Sequence, residues 1–220
     1  MKNIIIFGAS GHGRVIIDIV EKEHIYNISG LVDDNKNLAT DFSGYKLLGT
    51  GDDIVHIIKK YDIYGGIIAI GDNCTRANSV RKIRKIIPDF VFVNAIHPSA
   101  QIARNVITGK GSVIMAGVVI NSNSRTGDFC IINTRASIDH DNIIEDYASI
   151  APGVTTGGNV KIGSFSAISL GASIIHGVTV GEQTVVGAGA TVLKDLPSYV
   201  VAYGTPAKVV RKRKAGEKYL

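Results

Sequence analysis

Residues 160–186 read VKIGSFSAISLGASIIHGVTVGEQTVV, and a branched aliphatic residue returns at every sixth position of this stretch, from Ile162 to Val186. The same register extends from Ile102 to Val192, and its sixteen positions hold only isoleucine, valine or threonine. Two residues before each of them the side chain is small or valine, and Asn142 is the single departure. A repeat this strict decides the fold of the second half of the chain.

The six-residue period predicts short strands joined by corners. Residues two apart in an extended chain face the same side, so the large and the small side chain of each repeat point inward together. Three repeats close one triangular coil, and the coils stack at the spacing of neighbouring strands, about 4.8 Å. A β-sandwich would instead show turn signals about every 8–12 residues and no fixed period. We therefore predict a parallel β-helix over residues 96–200.

Residues 1–95 have a different pattern, in which short apolar runs alternate with amphipathic segments. The pattern predicts strands at Asn3–Phe7, Ile28–Val32, Gly66–Ile70 and Phe90–Val93, and helices at Arg14–Glu23, Asp53–Lys60 and Ala77–Ile87. Strands separated by helices form a parallel sheet with right-handed crossovers. The predicted fold class is thus an N-terminal α/β, Rossmann-like domain followed by a β-helix.

The net charge of +5 is confined to one end of the 220-residue chain. Lys208–Leu220 holds six basic residues and one acidic residue, so the remainder is neutral and lacks the basic face that nucleic-acid binding needs. We expect this basic tail, residues 201–220, to form a third segment. The apolar runs are far shorter than the roughly 20 residues of a membrane span. Two cysteines fit a reducing compartment, so we expect a cytoplasmic protein.

A glycine-rich loop, Gly8-Ala9-Ser10-Gly11-His12-Gly13, lies between the first predicted strand and helix. Glycines at a helix start let a ligand approach the backbone, and the N–H groups there favour an anion. Asp33 follows Gly13 by twenty residues, as the ribose-binding carboxylate of a dinucleotide fold does, although the glycine spacing differs from Gly-x-Gly-x-x-Gly. A sugar-nucleotide phosphate site, an NAD(P) site and tight turns alone remain open alternatives.

The hexapeptide frame, with units such as Ile162–Ala167 and Val180–Val185, resembles the left-handed parallel β-helix acyltransferases. Gly204-Thr205-Pro206-Ala207-Lys208 resembles the segment that follows the helix in that group. Together with the glycine loop, the whole chain resembles the nucleotide-amino-sugar N-acetyltransferases and the sialic acid O-acetyltransferases. This resemblance implies a homotrimer that transfers acetyl from acetyl-CoA to the amino group of a UDP-linked amino sugar. O-acetylation of a sialic-acid-like sugar and a non-catalytic scaffold are the alternatives.

The resemblance also implies which residues hold the sugar nucleotide. The family's glycine loop contacts this substrate, and the remaining contacts lie near the ribose or base and after the third strand. The matching positions are Ser10, Gly11, His12, Asp33, Asp34 and Gly71. Gly71 follows a predicted strand, where open α/β sheets bind ligands, which supports its place independently. His12 either donates to a phosphate or simply faces solvent.

Acetyl transfer to an amine needs a base that works near neutral pH, which suits histidine. His140 has an acid on each side, Asp139 and Asp141, and lies beside the irregular Asn142, whereas His176, two coils away on the same face, has none. We predict that His140 is the general base and that Asp141 orients its ring. The resemblance agrees, because the family's base lies in an Asn-Thr…His-acidic stretch, which here begins at Asn133 in the substrate site.

For acetyl-CoA, the resemblance implies contacts along a prism edge between subunits. The matching positions are Ser149, Leu170 and Ala188. The basic tail from Lys208 either binds the 3′-phosphate of CoA or is a solvated terminus. We expect no metal.

Overall fold

The computed structural model describes residues 1–35 and 40–219, and the chain divides into two compact units. The first unit contains Met1–Gly71 and Thr75–Pro98. The second contains Asp72–Cys74 together with the chain from Ser99 onward. Leu220, the last residue of the predicted tail, lies outside the described residues.

The first unit is built on one mainly parallel sheet with the strand order β3-β4-β2-β1-β5. Only the β3–β4 pair is antiparallel. The elements in chain order are β1 (Lys2–Phe7), α1 (Gly11–Glu23), β2 (Tyr26–Val32), β3 (Asp41–Phe42), β4 (Tyr45–Gly49), a 3₁₀ turn (Gly51–Asp53), α2 (Ile54–Tyr61), β5 (Ile63–Ile68), α3 (Asn73–Ile86) and β6 (Ala95–Ile96). Ile4, Ile5 and Ile6 are fully buried, because the central strand of a parallel sheet is covered on both faces.

Several features of this unit differ from the sequence prediction. The third long strand is Ile63–Ile68 rather than Gly66–Ile70, and α1 begins at Gly11 rather than Arg14. The segment Phe90–Val93 is no strand, since it pairs with the sheet only through one isolated bridge, to Gly66. The β3–β4 hairpin was not predicted, because its strands are too short to show a period. Helix α3 begins at Asn73, four residues before the predicted start at Ala77. The prediction missed this first turn because its residues are polar and carry no amphipathic signal.

The second unit consists of two-residue strands in three parallel sheets. In chain order they are β7 (Gln101–Ile102), β8 (Ile107–Thr108), β9 (Val113–Ile114), β10 (Val119–Ile120), β11 (Arg125–Thr126), β12 (Ile131–Ile132), β13 (Ser137–Ile138), β14 (Ile143–Ile144), β15 (Ser149–Ile150), β16 (Thr155–Thr156), β17 (Lys161–Ile162), β18 (Ala167–Ile168), β19 (Ser173–Ile174), β20 (Thr179–Val180), β21 (Val185–Val186) and β22 (Thr191–Val192). Each strand from β7 to β19 pairs in register with the strand eighteen residues later, as Ile120 does with Ile138. One coil therefore has three sides, as predicted.

The six-residue frame forms the interior of this β-helix. Every frame position from Ile114 to Val192 is buried. Ile102 and Thr108 are more exposed, because they belong to the first coil and their strands end the stacks. The stack closes with β23 (Val200–Tyr203), parallel to β21, and β24 (Lys208–Lys212), antiparallel to β23. None of the helices in the described part of the chain has the length and hydropathy that a bilayer crossing requires.

Candidate functional site: a nucleotide-sized cavity and a histidine–aspartate pair

A cavity of about 360 Å³ opens at the carboxyl ends of β1, β2 and β5, the edge at which open α/β sheets bind ligands. It brings together four of the residues predicted from the sequence: Ser10, Asp33, Asp34 and Gly71. Gly11 and His12 are not among its lining residues. The loops that follow the parallel strands thus form one side of the cavity.

The three glycines of the loop, Gly8, Gly11 and Gly13, differ in whether the fold itself requires the absence of a side chain. A Cβ on Gly8, whose φ is +114°, would lie 2.8 Å from the carbonyl oxygen of Ala69, and one on Gly13 would lie 2.6 Å from that of Gly8. A Cβ on Gly11, the exposed first residue of α1, would meet no atom within 4 Å. Packing within the protein therefore explains Gly8 and Gly13 but not Gly11.

The two aspartates at the end of β2 hold the surrounding loops. Asp33 accepts hydrogen bonds from the backbone N–H groups of Ala9 (2.7 Å) and Asn35 (2.8 Å). Asp34 accepts one from the N–H of Gly51 (2.8 Å), and this bond is the main reason that the pKa of Asp34 lies below its usual value. Lys82 bridges the Asp34 and Asp52 carboxylates at 3.2 and 2.9 Å.

Sequence reasoning missed the contribution of α3 to this cavity. Thr75, Ser79 and Lys82 line it, and they recur at the i, i+4, i+7 spacing of one helix face. That spacing is visible in the sequence, but its significance depends on the sheet that brings the helix beside Asp34. The hydrogen bonds that Lys82 donates to Asp52 and Asp34 raise the pKa of its ammonium group, which stays charged.

His12 lies in the first turn of α1 and is half-buried rather than solvent-facing. Burial, with a smaller effect of the nearby Arg76 charge, lowers the pKa of His12 to about 4, so the imidazole is neutral at pH 7. Its Nε2 is buried and has no hydrogen-bond partner among the described residues. Arg76, which the sequence did not single out, is buried and donates to the carbonyl oxygens of Ile70 (2.9 Å) and Gly71 (2.8 Å).

His140 lies in the second unit, at the corner between β13 and β14. Its Nδ1 is 2.7 Å from Oδ2 of Asp141, and the two side chains are 53% and 43% exposed. The hydrogen bond to Asp141 is the main cause that raises the pKa of His140. With Asp141 as acceptor, the proton lies on Nδ1 and the lone pair of Nε2 is available. The imidazole covers Gly158 of the next coil, where a Cβ would lie 2.5 Å from Cε1.

Asn133, Leu170 and Ala188 occupy the preceding corner of the prism, which connects the sheet of β12 to that of β13. Asn133 accepts a hydrogen bond from the N–H of Thr134 (2.7 Å). Leu170 and Ala188 are exposed on successive coils, and the N–H of Gly189 donates to the carbonyl of Leu170 (2.8 Å). The strands β13, β16 and β19 separate this corner from that of His140, so one chain does not bring the two groups together.

Ser149 and the C-terminal segment meet at Asn73. The hydroxyl groups of Ser149 and Tyr219 donate to Oδ1 of Asn73 at 2.6 and 2.9 Å. Arg213 of the predicted basic tail is only 7% exposed and donates to the carbonyls of Gln183 (3.0 Å) and Glu217. The tail is therefore not a solvated terminus throughout, although Lys208 in β24 is exposed.

Within residues 1–35 and 40–219, no group of three or more His, Cys, Asp and Glu side chains is close enough to hold a metal ion.

The first unit offers a cavity with charged and hydroxyl groups, and the second offers an exposed histidine with an oriented proton. An α/β unit of this kind joined to a hexapeptide β-helix with such a histidine defines the class of hexapeptide-repeat acyltransferases.

Comparison with known proteins identifies the family. The family model of the PglD N-terminal domain matches residues 3–83. The chain is 33% identical over 118 residues to UDP-N-acetylbacillosamine N-acetyltransferase of Bacillus subtilis, a match that covers 53% of this chain and 52% of that protein. It is 28% identical over 159 residues to GDP-perosamine N-acetyltransferase of Escherichia coli O157:H7, covering 67% and 66%. The matches span about half to two thirds of these curated relatives.

Solved structures match over nearly the whole chain. A mutant perosamine N-acetyltransferase from Caulobacter crescentus, in complex with CoA and GDP-perosamine, is 35% identical with a TM-score of 0.89, covering 96% of this chain and 98% of that one. The acetyltransferase domain of PglB from Neisseria gonorrhoeae, with acetyl coenzyme A, is 29% identical with a TM-score of 0.85, covering 95% and 99%. The chain belongs to the nucleotide-amino-sugar N-acetyltransferases. The resemblance and the predicted fold class, with its left-handed β-helix, are confirmed.

Proposed function

We propose that this protein transfers the acetyl group of acetyl-CoA to the amino group of a nucleotide-linked amino sugar, with a UDP-sugar as the first candidate and a GDP-sugar as the second. The observation that carries the proposal is the His140–Asp141 pair, with its 2.7 Å hydrogen bond, on an exposed corner of the β-helix. The named functions of the relatives support N-acetylation over O-acetylation of a sialic-acid-like sugar.

The first unit binds the nucleotide. A cavity of about 360 Å³ suits part of a nucleotide sugar, and it combines hydroxyl donors, Ser10 and Ser79, with the cation of Lys82. The exposed N-terminus of α1 adds unpaired N–H groups for a phosphate, and the absence of a side chain at Gly11 lets an anion approach them. Neutral His12 adds no charge to this site.

The chemical step is a direct aminolysis. The sugar nitrogen attacks the thioester carbonyl, so a C–N bond forms and the C–S bond breaks. His140 accepts the proton that the nitrogen loses, on Nε2, and returns it to the departing CoA thiolate. Asp141 holds the imidazole in the tautomer that makes this transfer possible and stabilises the imidazolium.

Acetyl-CoA binds between two subunits of a trimer in this proposal. Leu170 and Ala188 lie on a different corner from His140, so a second copy supplies the edge that meets the base. Exposed Lys208 supplies a cation that we assign to the 3′-phosphate of CoA. A native mass three times that of the chain supports this arrangement, and a monomer that is fully active contradicts it. We place the reaction in the cytoplasm, which holds the acetyl-CoA pool.

The test measures free thiol released from acetyl-CoA with UDP- or GDP-linked amino sugars, and with sialic acid as the competing acceptor. We expect release with an amino sugar, and loss of about a hundredfold or more in kcat for His140→Ala, the usual range for a lost general base. His176→Ala, two coils away, keeps its activity. Turnover of His140→Ala near that of the wild type, with the sugar still bound, would refute the assignment.

A further inference from the structure

Four small polar residues inside the β-helix share one hydrogen-bond pattern. Each donates from its side chain to the carbonyl oxygen fifteen residues later, on the coil above. The pairs are Ser112 to Gly127 (3.1 Å), Ser124 to Asp139 (2.7 Å), Cys130 to Glu145 (3.1 Å) and Ser166 to Gly181 (2.6 Å). One donor per residue is thus enough to connect successive coils.

Asn142 occupies the same interior column, but its amide has two hydrogens to donate where each of these side chains has one. Its Nδ2 donates to Gly157, fifteen residues later, at 2.9 Å, and this bond follows the common pattern. The same nitrogen also lies 2.8 Å from the carbonyl oxygen of Asp139 and 3.1 Å from that of His140, within its own corner. Asn142 is fully buried, and its Oδ1 has no partner in the described part of the chain.

These additional bonds act on the one corner that carries the base. The bond to its carbonyl fixes the backbone of His140 from inside the prism. The bond to Gly157 fixes the backbone next to Gly158, on which the His140 ring rests. The amide of Asn142 thus fixes both the backbone of His140 and the backbone beneath its ring. A serine at this position has a single donor and could fix only one of the two.

We propose that Asn142 is a positioning residue for His140, which aligns the imidazole with Asp141 and with the acceptor by holding the corner 139–142 from the interior. This role rests on the proposed function of His140 as the base. The inference explains why the small-residue column is broken at this single position, since a buried amide with an unsatisfied oxygen costs free energy that packing alone does not require.

The decisive variant is Asn142→Ser, which gives this position the residue found at Ser112, Ser124 and Ser166 and retains a donor for Gly157. Ser112→Ala is the matched control, because it removes an interior hydrogen bond at another corner. We expect Asn142→Ser to lower kcat roughly tenfold, as misplaced catalytic groups do, with KM for both substrates within about twofold. Ser112→Ala lowers the melting temperature without changing kcat.

A titration of His140 by NMR in the full-length protein without substrates provides a readout that does not depend on activity. The charged groups that face this ring are Asp139 and Asp141. We expect the pKa of His140 to fall in Asn142→Ser, because the hydrogen bond to Asp141 loosens, and to stay unchanged in Ser112→Ala. The spectrum of His140→Ala assigns the resonance.

The outcomes separate this inference from the proposed function. An unchanged pKa and kcat in Asn142→Ser overturns the positioning role while leaving the acetyl transfer intact. A lowered pKa in a protein that acetylates no amino sugar supports the positioning role and refutes the function. If both Asn142→Ser and Asn142→Thr fail to fold, the amide serves the fold instead, and the inference is wrong.

Discussion

At the scale of single residues, the chemistry depends on the different hydrogen bonds that Asp139 and Asp141 form with His140. Asp141 bonds to the ring at 2.7 Å, whereas Asp139 accepts a hydrogen bond from the backbone N–H of His140 at 2.8 Å. The first acid therefore acts on the proton of the ring and the second on the shape of the turn. Substitutions that remove one charge at a time distinguish these two effects.

The pH dependence of kcat/KM should follow the ionisation of His140. Its pKa is raised, chiefly by the hydrogen bond to Asp141, so the imidazole stays protonated up to a higher pH and activity falls as the pH drops through this raised pKa. Asp141→Asn removes the main cause of this shift, so the acidic limb should move to lower pH. The plateau should fall by roughly tenfold, because the ring loses its fixed tautomer.

Asp139→Asn is the control for this measurement. The Asp139 charge contributes less to the raised pKa, and an asparagine oxygen can still accept the backbone hydrogen bond. Its acidic limb should therefore move less than that of Asp141→Asn. A larger shift for Asp139→Asn would mean that the two acids have been assigned the wrong roles.

Gly11 and Gly13 allow binding to be separated from folding. Gly13→Ala places a Cβ 2.6 Å from the Gly8 carbonyl oxygen and should lower the free energy of unfolding by about 1–3 kcal/mol. Gly11→Ala meets open space, so stability should be kept, while KM for the nucleotide sugar rises. Unfolding curves and steady-state kinetics of both variants test this, and an unaltered KM in Gly11→Ala would remove the helix terminus from the site.

At the scale of elements, each short strand places one residue inside the prism and its neighbour outside. In β14, Ile144 is 1% exposed and Ile143 is 47% exposed. Ile144→Ala should cost about 2–5 kcal/mol because it leaves a cavity in the core, while Ile143→Ala should cost less than about 1 kcal/mol. Chemical unfolding of the two variants checks the inward register, and equal costs would contradict it.

The same regularity explains what the sequence could predict of the fold. A local period of six residues repeats in every coil. It predicts the three sides of the prism, the inward direction of every sixth residue, and the burial of these residues from Ile114 to Val192. The β3–β4 hairpin and the start of α3 could not be predicted, because their short or polar segments carry no period.

The candidate site was predictable only where residues follow each other in the chain. His140 and Asp141 are adjacent, and the irregular Asn142 marked their corner. The bridge from Lys82 to Asp34 joins residues 48 apart, and Asn73 contacts Ser149 across 76 residues. Such pairs form because the tertiary structure brings distant loops together. No local pattern in the sequence predicts them.

At the scale of the whole molecule, three residues of the α3 region belong to the β-helical unit. Asn73 is buried there, donates to the carbonyls of Phe165 (3.1 Å) and Ser166 (3.2 Å), and accepts from Ser149 and Tyr219. Within the second unit, its side chain thus connects successive coils to the C-terminal segment.

Asn73→Ala should lower the free energy of unfolding of the second unit by about 1–3 kcal/mol, since buried partners lose their hydrogen bonds. Asn78→Ala, on the exposed face of the same helix, should change it by less than about 0.5 kcal/mol. Denaturant titration followed by a probe in the β-helix measures both. Equal stability of the two variants would show that the Asn73 contacts contribute nothing to the unit.

The antiparallel strand β24 has a consequence for the behaviour of the protein in a crowded solution. A stack of parallel coils presents unpaired backbone groups that can template further strands, the first step towards a fibril. Here the outermost strand of one stack reverses direction, and all five of its residues are exposed. Lys208 and Lys212 give it positive charge, while Arg211 pairs with Glu217. Like charges on two such edges repel each other, which keeps neighbouring molecules from growing end to end.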